Sequence, residues 1–97
     1  MFVYQEKVRE RPMLGLMMNR QLLISSIMRH AARFHTEREV VSATVEGAIH
    51  RYTYADLEKR SKRLANVLAR LGVKQGDRIA TLAWNTYRHV ELYYGVS

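Results

Sequence analysis

The sequence predicts an α/β fold with the order helix, β-hairpin, helix, strand, helix. Three observations carry this prediction. Leu22–His35 and Thr53–Leu71 place apolar side chains at helical spacing. Glu39–Val45 and Ala48–Tyr52 are rich in Val, Ile, Thr and Tyr and flank Glu46-Gly47, a pair suited to a tight turn. Arg78–Ala83 is a short, nearly continuous apolar run of the kind found in buried, often parallel, strands. A helix between two strand regions suggests an α/β layer.

In the first helix, Leu23, Ile24, Ile27, Met28, Ala31 and Phe34 fall on one stripe, with Arg29 and Arg33 off it. That stripe is expected to be core, and Asn19 is the expected N-cap. In the hairpin, polar and apolar residues alternate imperfectly, so its register stays open. Thr53 is placed to cap the second helix, and Asp56, three residues on, suits a helix start. Leu57, Leu64, Val67, Leu68 and Leu71 form its expected buried stripe. Gly72 follows where a left-handed backbone ends a helix, with Val73 over the last turn. Lys74–Asp77 turns the chain through Gly76, and Asn85 closes the expected strand. Tyr87–Ser97 reads as a helix with Val90, Tyr93 and Tyr94 on one side and no stop signal, a pattern expected of a truncated domain. Residues 1–14, including the single Pro12, read as an N-terminal arm, and 15–97 as an incomplete domain.

Composition narrows the function. The formal net charge is +7, but the basic residues are scattered from Lys7 to Arg88 with no run longer than two. This is not the clustering a nucleic-acid site needs. Without cysteine there is neither a disulfide framework nor a thiolate metal site. The longest nearly unbroken apolar run, Met13–Met18, is far short of the ~20 residues of a membrane span and has no signal-peptide cleavage pattern. A cytoplasmic protein is expected.

Chemical motifs are missing from the sequence. Gly15, Gly47, Gly72, Gly76 and Gly95 are too dispersed for a phosphate-binding loop. His30 and His35 are five apart, about 140° around a helix, and are not expected to share a metal. Ser25, Ser26, Ser42 and Ser61 lack a nucleophile-elbow setting. Asp56 and Glu58 point to different sides of a helix. Tyr52, Tyr54, Trp84, Tyr87, Tyr93 and Tyr94 read as packing residues, with Trp84 and Tyr87 the best placed to meet a ligand. No catalytic, cofactor-binding or metal-binding residue is assigned.

Tyr52-Thr53-Tyr54-Ala55-Asp56-Leu57, Arg63–Leu68 and Leu71-Gly72-Val73-Lys74-Gln75-Gly76-Asp77-Arg78-Ile79-Ala80 resemble the N-terminal region of adenylate-forming enzymes. Glu39–Ser42, Ile49–Tyr54 and Ala80–Tyr94 narrow the resemblance to bacterial fatty-acyl-CoA synthetases of the long- and medium-chain type. The resemblance runs from about Gly15 to Ser97 and implies a partial N-terminal subdomain of that fold. It implies a parent enzyme that couples a carboxylic acid to ATP, giving an acyl-adenylate and pyrophosphate, before coenzyme A displaces AMP. ATP, CoA and magnesium are the parent's cofactors. The family's phosphate loop, magnesium-binding Glu, ribose-binding Asp and mobile-domain Lys all lie beyond the matched region, so none transfers to a residue here. The fragment alone is therefore expected to bind none of these cofactors and to be inactive. Dimer contacts through the N-terminal region are also implied. A ligase for an aryl or sulfur-containing short-chain acid is one alternative. A non-catalytic interaction or dimerisation module is another, of a different class.

Overall fold

The computed structural model describes Gly15 and residues 18–97. The expected arm 1–14, with Pro12, and most of the Met13–Met18 run lie outside the described residues. Five elements follow in order: α1 (Ile24–Phe34), β1 (Glu39–Ala43), β2 (Ile49–Thr53), α2 (Tyr54–Arg70) and α3 (Tyr87–Val96). The α2 helix is the hub, packed against α3 and α1 and touching β2.

The β1 and β2 strands form an antiparallel pair in which Val40 faces Tyr52 and Ser42 faces His50. The turn closes through Thr44 N–H to Ala48 O at 2.9 Å and Gly47 N–H to Thr44 O at 3.0 Å. Gly47 sits at φ +90°, a conformation that disfavours a Cβ. The register also explains the imperfect alternation of the sequence. Val40, Ser42, His50 and Tyr52 face inward, while Val41 and Ile49 face out. Polar Ser42 and His50 are turned in because both meet α3 there.

The start of α2 is a capping box. Asp56 N–H donates to Thr53 Oγ1 at 3.3 Å, and Thr53 N–H donates to the Asp56 carboxylate at 3.2 Å. At the other end, Gly72 at φ +88° lets its N–H reach Ala69 O while Val73 N–H reaches Leu68 O. This is a Schellman stop, which satisfies two carbonyls the helix cannot.

Four expectations are corrected. Arg78–Ala83 forms no strand: among the described residues the only sheet is the β1–β2 pair, and this run has no ladder partner. An apolar run becomes a strand only when a neighbour takes its backbone bonds. Leu82 is accordingly fully exposed. The α1 helix begins at Ile24 with Leu23 as N-cap and no side-chain cap, since Asn19 lies four residues too early. Its stripe is mostly not core either: Met28 is buried and Ala31 half-buried, whereas Leu23, Ile24, Ile27 and Phe34 are exposed. The docked side runs along Met28, Ala31 and Ala32, at one edge of the stripe rather than its centre. The apolar side of α2 is also only partly covered: Leu57 is buried, Leu64 and Leu68 are half-buried, and Val67 and Leu71 are exposed.

Candidate functional site

Polar side chains converge where α2, α3 and the hairpin meet. Glu91 is the one acidic residue of α3, and its carboxylate is turned inward. It takes two hydrogen bonds from the Arg60 guanidinium, Nε to Oε1 at 2.6 Å and Nη2 to Oε2 at 3.3 Å. A forked guanidinium matches a planar carboxylate at two points, which fixes the rotation of α3 against α2. The Arg60 side chain is itself half exposed. Bonding to Glu91 raises the Arg60 pKa above its ordinary value.

Tyr52 of β2 is buried beside this pair, and its phenol oxygen has no hydrogen-bond partner. Burial, followed by the negative charge of Glu91, pushes the phenol well above the ordinary tyrosine range, so it stays neutral. The Ser61 hydroxyl is also buried without a partner, on the α2 surface where α3 crosses. The crossing is close because Gly95 lies there: a Cβ on it would stand 2.9 Å from Leu64 Cδ2 and 3.1 Å from Ser61 O.

The hairpin joins α3 through side chains. Tyr87 N–H, at the start of α3, donates to Ser42 Oγ at 3.0 Å, supplying the acceptor that Thr86 does not. The His50 ring stacks on Tyr87 at 3.7 Å between centroids and 11° between planes. Tyr52 meets both rings edge-on. Arg88 reaches Glu46 of the turn at 3.1 Å. On the far side of α3, His89 stacks on Tyr93 and lies 3.3 Å from Thr81 Oγ1.

These contacts set the chemistry the chain can offer. Gly47, Gly72 and Gly76 adopt positive φ in three separate turns, so their backbone amides do not converge on one anion. Among the described residues no three metal-binding side chains converge either. His30 and His35 come nearer than their spacing implies, with centroids 5.9 Å apart, because His35 lies past the helix end. Of the two aromatics singled out from sequence, Tyr87 is packed against His50 while Trp84 is exposed. Ser42 and Ser61 prove to be joint residues, and Asp56 a capping residue. Sequence reasoning missed the Arg60–Glu91 pair. Its only local signal was a single carboxylate beside the apolar positions of α3.

Comparison with known proteins places this framework. Residues 27–97 match the model of the AMP-binding enzyme family. Over 85 residues, 88% of the chain, it is 48% identical to a medium-chain-fatty-acid–CoA ligase of Ectopseudomonas oleovorans. Over a stretch of the same length it is 45% identical to a 3-methylmercaptopropionyl-CoA ligase of Ruegeria lacuscaerulensis. A long-chain-fatty-acid–CoA ligase of Thermus thermophilus is 42% identical over 80 residues, 82% of the chain. The matches span 16%, 16% and 15% of the three relatives' own lengths. By the extent of the family match and the level of these identities, the chain belongs to the AMP-binding enzyme family.

Proposed function

We propose that the chain is part of an ATP-dependent acyl-CoA ligase that activates a fatty acid. In this reading the carboxylate attacks ATP to give an acyl-adenylate and pyrophosphate, and the thiol of CoA then displaces AMP. ATP, CoA and magnesium serve the parent enzyme. The observation that supports this best is the 48% identity to the medium-chain ligase over most of the chain. The contribution of these residues is framework: α2 and the hairpin hold α3 by the Glu91 and Ser42 contacts. In the same reading the chain alone is inactive, since it spans 16% of the length of the medium-chain ligase it matches and an adenylate-forming transition state needs donors gathered on the phosphates. Location in the cytoplasm belongs to the same reading. Among the described residues no helix is long and apolar enough to cross a membrane.

Two measurements test this. The purified chain with ATP, magnesium, CoA and octanoate should release no pyrophosphate, and acid-dependent release would overturn the inactivity. For the ligase reading, the chain is exchanged for the matching segment of the Ectopseudomonas enzyme. Retained octanoyl-CoA synthesis is expected, and a folded but inactive chimaera would count against it. The second reading, a ligase for a sulfur-containing short-chain acid, is favoured by the 45% identity to the Ruegeria enzyme. The same exchange into that enzyme separates the two, since the better-fitting host should retain more of its rate.

A further inference from the structure

We draw no further inference here: the strongest candidate, the side-chain cluster of Tyr52, Arg60, Ser61 and Glu91 where the hairpin, α2 and α3 meet, belongs to the site already described.

Discussion

Arg60 and Glu91, thirty-one positions apart, clasp each other through two hydrogen bonds of 2.6 and 3.3 Å and thereby lock α3 onto α2. The two ends of the pair are not equivalent. The carboxylate side chain is 9% exposed and that of Arg60 49%, so only the arginine can turn to water if its partner is lost.

That asymmetry predicts an order of costs. Arg60→Met leaves a buried carboxylate without its counter-charge, for which about 2–3 kcal/mol of lost stability is expected. Glu91→Gln keeps the shape and frees a guanidinium that water can reach, for which about 1 kcal/mol is expected. Urea unfolding followed by circular dichroism measures both. A larger loss for Glu91→Gln would mean that the pair is not what holds the carboxylate in place.

How much of this was legible in the sequence follows from the range of each interaction. The local signals read correctly: the Thr53–Asp56 cap and the Gly72 stop involve residues within a few positions of one another. The hairpin was visible, but not which side faced in. Ser42 and His50 point inward because of Tyr87, forty-five and thirty-seven positions away, and no alternation rule contains that partner. The apolar stripe of α1 was read correctly as a stripe and wrongly as core. Periodicity tells which residues share a side and not what lies against it. Arg78–Ala83 failed as a strand for a related reason: a strand is a property of two segments, and the run alone showed one.

The capping box gives a pH dependence with a definite sign. Thr53, through its backbone N–H and then its hydroxyl, holds the Asp56 carboxyl below its usual value of 3.8. A depressed carboxyl contributes stability that is complete above its unfolded value and is lost as pH falls through the folded one. Thermal unfolding of the chain should therefore lose an increment on the acid side of 3.8 that Asp56→Asn lacks. Thr53→Ala should cost about 1 kcal/mol at neutral pH, and Thr53→Ser much less. An Asp56→Asn variant with the same acid profile as the unaltered chain would remove the capping box as its cause.

Ser42 acts on α3 from another element. Its hydroxyl is the acceptor for Tyr87 N–H, in a part-buried position where water is a poor substitute. Ser42→Ala should cost about 1 kcal/mol and speed hydrogen exchange at the Tyr87 amide more than elsewhere in α3. A uniform change along the helix would point to general loosening and not to this bond.

Gly95 tests how tightly α2 and α3 meet. Replacing glycine by alanine inside a helix ordinarily gains about 1 kcal/mol. Here the added methyl would stand 2.9 Å from Leu64 Cδ2 and 3.1 Å from the Ser61 carbonyl oxygen. Leu64 can rotate away at modest cost, but the carbonyl belongs to the α2 backbone and moves only with it. Overpacking of this kind costs about 1–3 kcal/mol, so Gly95→Ala should be net destabilising by about 1 kcal/mol. Leu64→Ala should relieve the side-chain clash and not the backbone one. A double-mutant cycle should then show a coupling of about 0.5–1 kcal/mol, with Gly95→Ala less costly in the Leu64→Ala background. If Gly95→Ala instead stabilises the chain, helix propensity has won, and the crossing at Ser61 is looser than these distances describe.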